Sequence, residues 1–392
     1  MGIGPMDRRF SMQLLERQLL PAVANHKPPQ ALVLFGPRSA GKATLVRRAG
    51  VTLGATWYNA DKRKDVGALN IPSIDDLRNL LLQGDTLVIE EAQRVPDIGR
   101  FLKRLVDVNA TLAKPVKIYA TASRSFELAA GVGESALEYV KSLRLWPLSL
   151  EELADAQSWD SVVQNINFHL VYGMYPGICT DPENAREKLL QHCNGVLYRD
   201  LWGLGGIRRM GKLAHLLTVL AANIGKVLSY DGIARETGLN KGTVADYVAL
   251  LEACFIVKVC PSYAKNLPTE LKKGKKIYFC DNGIRNAFLG RFEPMAARED
   301  AAALWENFVF SERLKYHNDR NDDARICFWK TAAPRSKKLD FVELANGKMT
   351  AVECRLSKKE LAKPARAFLE AYPECAIHTV TPQDARLLRE IA

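Results

Sequence analysis

The chain lacks long apolar runs, paired cysteines and low-complexity tracts, and each lack removes a class of protein. No stretch approaches the roughly 20 apolar residues of a membrane-spanning helix, so no membrane partner is expected. The segment Met1-Gly-Ile-Gly-Pro-Met-Asp-Arg-Arg9 has no signal-peptide core, which predicts a cytoplasmic protein. The eight cysteines are scattered from Cys179 to Cys375 without a Cys-x-x-Cys pair, so neither a zinc site nor a disulfide framework is expected. They fit small buried side chains in a reducing compartment. The six histidines are equally dispersed, and no internal repeat is visible. Acidic residues are in deficit: 44 Asp and Glu face 55 Lys and Arg, a net charge of +11 that favours a polyanionic partner. At 392 residues, 47% hydrophobic and 25% charged, the chain has the makings of two or three globular domains.

The most informative stretch is Ala31-Leu-Val-Leu-Phe35, a buried-strand pattern, followed by Gly36-Pro37-Arg38-Ser39-Ala40-Gly41-Lys42-Ala43-Thr44 and the helical run Leu45-Val-Arg-Arg-Ala49. Strand, glycine-flanked loop and helix form the context of a phosphate-binding P-loop. The two glycines let backbone N–H groups turn inward, and the helix N-terminus adds partial positive charge. Lys42 would reach the β- and γ-phosphates of ATP. The position after the lysine should carry a hydroxyl that ligates Mg²⁺. It holds Ala43, and Thr44 is one residue too late, about 100° around the helix. Phosphate binding is thus expected to outlast metal binding.

Thr86-Leu-Val-Ile-Glu90-Glu91-Ala-Gln-Arg94 reads as a second buried strand ending in two acids. In P-loop ATPases an aspartate here holds the Mg²⁺ shell, and a following glutamate orients the attacking water. Glu90 stands in the first place, leaving weakened Mg²⁺ binding open to it, and Glu91 is the candidate water activator. A further strand, Pro115-Val-Lys-Ile-Tyr-Ala120, ends in Thr121 and Ser123, candidates to sense the γ-phosphate; turn-forming roles are the alternative. Alternating strands and helices argue a parallel sheet covered on both faces, with nucleotide at the carboxyl ends of the strands.

The N-terminal residues 6–26 have helical spacing, with Pro21 kinking or splitting the run. Residues 150–220 turn helical, with Tyr175-Pro176-Gly177 as a turn, and Arg199 and Asp200 as charges that either meet nucleotide or are solvated. Residues 228–240 and 241–254 form a helix-turn-helix, followed by strands at 255–260 and 275–280, together a winged helix. Lys241 and the loop lysines Lys265, Lys272 and Lys273 are candidates for DNA phosphate contact; a protein-docking role is the alternative. Beyond residue 298 a helix precedes three strands and a closing α/β portion. Asp340 and Glu353 fall on neighbouring strands, where two carboxylates can hold Mg²⁺ for phosphodiester cleavage or simply line an exposed hairpin.

The order of these signals resembles a prokaryotic family of AAA-like ATPases that join a P-loop core to a winged helix and a C-terminal domain of unknown function. That last domain looks like the PD-(D/E)xK nuclease fold. The resemblance rests on Gly36 to Lys42, Glu90-Glu91-Ala-Gln-Arg-Val-Pro96, Pro147-Leu-Ser149, Tyr172-Gly-Met-Tyr-Pro176, Arg199-Asp200, Thr243-Val-Ala-Asp-Tyr247, Lys276-Ile-Tyr-Phe-Cys-Asp281-Asn-Gly283, Glu306-Asn-Phe-Val309, Leu339-Asp-Phe-Val342 and Val352-Glu353. It implies phosphate binding by Lys42, water activation by Glu91, and nuclease-like roles for Glu306, Asp340 and Glu353. Three departures bear on catalysis. Ala43 and Glu90 replace the Mg²⁺ residues. The Gly-Arg after the sensor strand reads Glu138-Tyr139. The Glu-x-Lys of the nuclease-like site reads Glu353-Cys-Arg355, and arginine is bulkier and places a water less readily.

The expected architecture is therefore α/β. Residues 1–155 form an AAA-like core with an N-terminal helix, 156–220 a helical region, 221–290 a winged helix and 291–392 a nuclease-like α/β domain. The expected function is an ATP- or ADP-binding switch with weakened hydrolysis, acting on DNA, a protein partner or further copies of itself. An active ATPase coupled to DNA binding or cleavage and a non-catalytic protein-interaction scaffold are the alternatives.

Overall fold

The computed structural model describes residues 15–50, 54–124, 139–195, 201, 210–263, 274–331, 338–357 and 363–391. The chain forms two compact units. One comprises Glu16–Pro147 with Ala253–Phe255, the other chiefly Leu148–Glu252 and Ile256–Ala392. The expected segments 156–220, 221–290 and 291–392 fall almost wholly in the second.

The first unit is built on five strands: β1 (Ala31–Phe35), β2 (Thr56–Asn59), β3 (Thr86–Glu90), β4 (Lys117–Ala122) and β5 (Val140–Arg144). They pair in parallel in the order β2-β3-β4-β1-β5. This is the α/β fold of a P-loop NTPase. β1, β3 and β4 are nearly continuous apolar runs because helices cover both faces of a parallel sheet. One face is closed by the helices Ile74–Leu81 and Ile98–Ala110, which bury Leu77, Leu80, Leu102 and Leu105 against Val33, Ile89 and Ile118. Burial of each such side chain contributes about 1.5–3 kcal/mol. The other face receives Leu45 and Val46 of the helix Lys42–Arg48, packed with Val88 and Tyr119.

Three local expectations are corrected. The N-terminal run is helical only over Leu20–Ala24 among the described residues; Pro21 lies in the helix's first turn, where its missing N–H costs nothing, so it starts a helix rather than kinking one. Tyr175-Pro176-Gly177 is not a simple turn: Pro176 opens the short helix Pro176–Cys179 for the same reason. β5 has no counterpart in the sequence reading, because Val-Lys-Ser-Leu-Arg lacks the apolar run of an internal strand and forms an edge.

In the second unit, the helices Met210–Ala222, Tyr230–Thr237 and Lys241–Ala253 precede the antiparallel pair β6 (Val257–Pro261) and β7 (Lys275–Phe279). Gly238 ends its helix at φ 62°, a left-handed cap glycine adopts without strain. The C-terminal sheet contains β8 (Arg325–Lys330), β9 (Lys338–Ala345), β10 (Lys348–Cys354) and β11 (Ala376–Val380), in the order β11-β10-β9-β8. β8, β9 and β10 are antiparallel neighbours, and β11 joins β10 in parallel.

A buried polar lock ties these parts together. Asp281 Oδ2 accepts the Met174 N–H at 2.7 Å, and Oδ1 accepts the Ile284 N–H at 3.1 Å, capping the helix Asn282–Leu289. A Cβ at Gly173 would lie 2.0 Å from Asp281 Oδ1, and one at Gly283 would lie 2.1 Å from the Tyr172 carbonyl. Asn307, on the helix Ala301–Asp319, donates to the Phe279 carbonyl and to Asn282 Oδ1. The motifs around Tyr172, Asp281 and Asn307 thus serve packing.

Candidate functional site

The loop after β1 has the backbone its sequence demands. Gly36 sits at φ 153°, and a Cβ there would meet the Leu145 carbonyl at 2.0 Å. Ser39 at φ 62° and Gly41 at φ 98° are both left-handed. Gly41 is the N-cap of Lys42–Arg48, so the loop leads straight into a helix N-terminus. Lys42 is 6% exposed, and its Nζ donates to the Gly36 and Pro37 carbonyls at 2.8 and 2.9 Å. The ammonium is held across its own loop. Arg17, a residue the sequence reading missed, braces the loop: it donates to the Ala40 carbonyl at 2.8 Å and the Trp146 carbonyl at 2.7 Å. Nothing in its sequence surroundings marks it, since both partners are backbone atoms far along the chain.

Strand order places β4 between β1 and β3, so Thr121 and Ser123 emerge beside the acids of β3. Glu91, left-handed at φ 52°, donates its N–H to Thr121 Oγ1 at 3.4 Å. Its carboxylate accepts from the Ser123 hydroxyl at 2.9 Å and from Gln93 Nε2 at 2.7 Å. Gln93 Nε2 also donates to Ser123 Oγ at 2.8 Å, closing a triangle. Both candidate sensors therefore converge on the candidate water activator. Gln93 joins them unannounced, although it lies inside the acidic motif.

Glu90 faces other partners. One carboxylate oxygen accepts from Arg47 Nη2 at 2.8 Å and the other from Asn59 Nδ2 at 3.1 Å. The Arg47 guanidinium in turn lies 4.6 Å from the centroid of the Trp57 ring. Arg38 of the loop and Arg94 both pair with Asp61, at 3.0 and 2.6 Å. The Mg²⁺ of a P-loop ATPase fits this set poorly. Ala43 has no oxygen, Thr44 is exposed one position on, and both Glu90 oxygens are engaged. Among the described residues no group of three or more His, Cys, Asp or Glu side chains is placed to hold a metal ion.

Of the acids expected to be nuclease-like, Glu353 is buried and Glu306 and Asp340 are half-buried, so none is spread on an exposed hairpin. Glu306 accepts from Lys276 Nζ at 2.7 Å and from the Tyr278 hydroxyl at 2.5 Å. Asp340 Oδ2 accepts the Cys354 N–H at 2.9 Å. Burial, then the nearby Glu306 carboxylate, pushes the Asp340 carboxyl up to about 7, against the pull of Lys276 and the Cys354 N–H and with a further push from Glu353. Glu353 is paired with Arg355, while its Oε2 is buried without a hydrogen-bond partner. Lys276 and Tyr278 come from β7, inside a motif quoted above, yet only the fold reveals that they reach Glu306. Lys241 pairs with Asp231 at 2.9 Å on the surface. Lys265, Lys272, Lys273, Glu138, Arg199 and Asp200 lie outside the described residues.

Residues 28–154 match the family described as an AAA domain, and residues 163–294 and 301–388 match two domains of unknown function. An uncharacterized protein of Mycobacterium tuberculosis is 27% identical over 312 residues, 78% of this chain and 67% of its own length. One of Haemophilus influenzae is 24% identical over 44% of each chain. The solved Walker-type ATPase of Pyrococcus abyssi has 14% identity and a TM-score of 0.47, covering 69% of this chain and 93% of that one. No helix among the described residues is long and apolar enough to cross a membrane. The segment that matches the AAA-domain family spans the loop of Lys42, both strand-end acids and Ser123, and it lies on the parallel sheet of a P-loop NTPase fold.

Proposed function

We propose that the protein binds ATP and ADP at the loop 36–44 and works as a nucleotide-controlled switch on DNA or on a protein partner, with weakened hydrolysis. The observation that carries this reading is the placement of Lys42 at a helix N-terminus behind a loop with left-handed Ser39 and Gly41. Such a loop directs N–H groups and a cation at a phosphate. Glu91 is the proposed water activator, with Thr121 and Ser123 positioned to report the γ-phosphate to it. Ala43 and the engaged Glu90 support slow turnover. ATP titration of the purified chain followed by phosphate release tests the reading. It expects saturable binding with turnover well below that of an efficient ATPase; absence of binding would favour a scaffold.

DNA is the proposed target on the strength of the +11 charge and the helix-turn-helix followed by the β6–β7 pair, which together read as a winged helix. The Lys241–Asp231 pair is exposed, so a DNA phosphate can replace Asp231 at little cost. DNA affinity should then fall steeply with salt, and a flat response would transfer the role to a protein partner.

A second reading, nucleotide binding coupled to DNA cleavage, is supported by the electrostatic convergence of Glu306 and Glu353 on Asp340. Against it stands Arg355 in place of the expected lysine, paired to Glu353. Nicking of supercoiled plasmid by the wild type, lost in Asp340→Asn, would establish it.

A further inference from the structure

We infer that this nucleotide site takes its triphosphate without a divalent cation, because Arg47 holds Glu90 out of metal coordination and arginine and lysine side chains supply the counter-charge. The inference rests on the nucleotide binding proposed above and concerns what accompanies the nucleotide.

A P-loop protein holds its metal between the hydroxyl after the lysine and the acid at the end of a second strand of the sheet. Here both ends of that bridge are altered together. Ala43 removes the first ligand outright. At the second, glutamate is one methylene longer than the expected aspartate, and its carboxylate spans from Arg47 on the P-loop helix to Asn59 on β2. β2 and β3 pair in register with Asn59 opposite Glu90, so the amide is fixed beside the carboxylate by the sheet itself. Trp57, two residues before Asn59 on the same face of β2, presents its ring to the Arg47 guanidinium. Arg47 is thereby held by a carboxylate and an aromatic ring at once. A cation already bridges the P-loop helix to the acidic strand, and it is a guanidinium.

The ion pair alone would not exclude a metal. The Arg47 side chain is 59% exposed, and such pairs contribute about 1 kcal/mol or less. Exclusion comes from the combination: a metal would have to displace Arg47 and Asn59 from Glu90 and would find no hydroxyl at Ala43 in return. Charge neutralisation then falls to the protein. Lys42 lies at the loop, and Arg38 of the loop and Arg94 both pair with Asp61 beside it. A triphosphate without its metal keeps more negative charge, so its affinity leans harder on these cations and on ionic strength.

The test is ATP titration by calorimetry on the full chain, once with excess Mg²⁺ and once in EDTA. The wild type should bind with dissociation constants within about threefold of each other in the two buffers. The double substitution Ala43→Thr with Glu90→Asp should bind at least about tenfold tighter with Mg²⁺ than in EDTA. Arg47→Ala, which releases one Glu90 oxygen while Asn59 keeps the other, should shift binding in the same direction by less; an unchanged response in a folded Arg47→Ala protein would remove Arg47 from the account. Wild-type binding that tightens more than about threefold with Mg²⁺ overturns the inference and leaves the nucleotide reading standing. No binding in either buffer overturns the nucleotide reading, and the inference with it.

Discussion

The Ser123 hydroxyl donates to the Glu91 carboxylate at 2.9 Å, joining the end of β4 to the end of β3. Gln93 completes the arrangement from one turn further on. Ser123 and Gln93 together orient the carboxylate, so under the proposed function a γ-phosphate that draws Ser123 away would change which groups Glu91 can reach.

If Glu91 is the water activator, Glu91→Gln should lower phosphate release by about 100-fold or to background, the scale of general-base catalysis. ATP affinity should change little, because Glu91 makes no contact with the loop of Lys42 among its described hydrogen bonds. A coupled phosphate assay beside calorimetry separates the two quantities. Unchanged release would assign turnover to another group.

Gly36→Ala should destabilise the P-loop unit. The new methyl would meet the Leu145 carbonyl at 2.0 Å, and Leu145 is itself held by a 2.7 Å hydrogen bond from its N–H to the Phe35 carbonyl. Backbone on both sides leaves no flexible side chain to move. A loss of about 1–3 kcal/mol is expected, and more if the loop cannot shift. Denaturant unfolding measures it; a neutral result would mean that β1 and β5 separate more easily than their pairing implies.

Much of this fold is legible from the sequence where the apolar pattern is strong. β1, β3 and β4 are buried on both faces and advertise it, as do Ser73 and Asn240, helix caps whose side chains accept N–H groups three residues on. The edge strand β5 carries no such pattern. Lys42, Glu91, Thr121 and Ser123 were marked as candidates because motif spacing picks them out along the chain. Arg17, Arg47 and Asn59 were not, because each acts across the fold on a partner that spacing does not reveal. Lys276 shows the same limit from the other side: its motif was visible, but its partner Glu306 lies 30 residues away on another element.

Acid should unfold both units through buried histidines. Burial pushes His169 down to about 4, with Lys315 adding to the shift against a hydrogen bond involving the Gly173 backbone; Cys179 Sγ lies 4.0 Å from its Nδ1. Burial likewise holds His26 near 4, opposed by its hydrogen bond with the Gln30 carbonyl and aided by Lys141 and Lys117; the Tyr119 ring packs on its edge. In the unfolded chain both would protonate near 6.5. The unfolded state therefore binds more protons between these values, and stability, complete above pH 6.5, falls as pH drops toward 4. For the fully buried His169 the loss is on the order of a few kcal/mol. Unfolding midpoints measured from pH 7.5 to 4.5 should show this slope, and His169→Gln should flatten it for the second unit.

The Lys276–Glu306 pair makes a sharper test of what holds the second unit together. Lys276 is 3% exposed at its side chain and Glu306 16%, and the Tyr278 hydroxyl shares the same carboxylate oxygen. Burial alone would lower the lysine pKa, but the carboxylates of Glu306 and Asp340 overcome it and raise it, so the ammonium stays charged. Lys276→Met removes the cation and leaves Glu306 beside an Asp340 already reluctant to ionise. Breaking a buried pair in this way costs about 3–5 kcal/mol. Glu306→Gln alone strands the ammonium instead, while its amide oxygen still accepts from Tyr278. The double variant Lys276→Met with Glu306→Gln removes both charges and should recover part of the loss, so that in a double-mutant cycle its loss is smaller than the sum of the two single losses. Additive losses would show that Lys276 is neutralised by Asp340 rather than by Glu306.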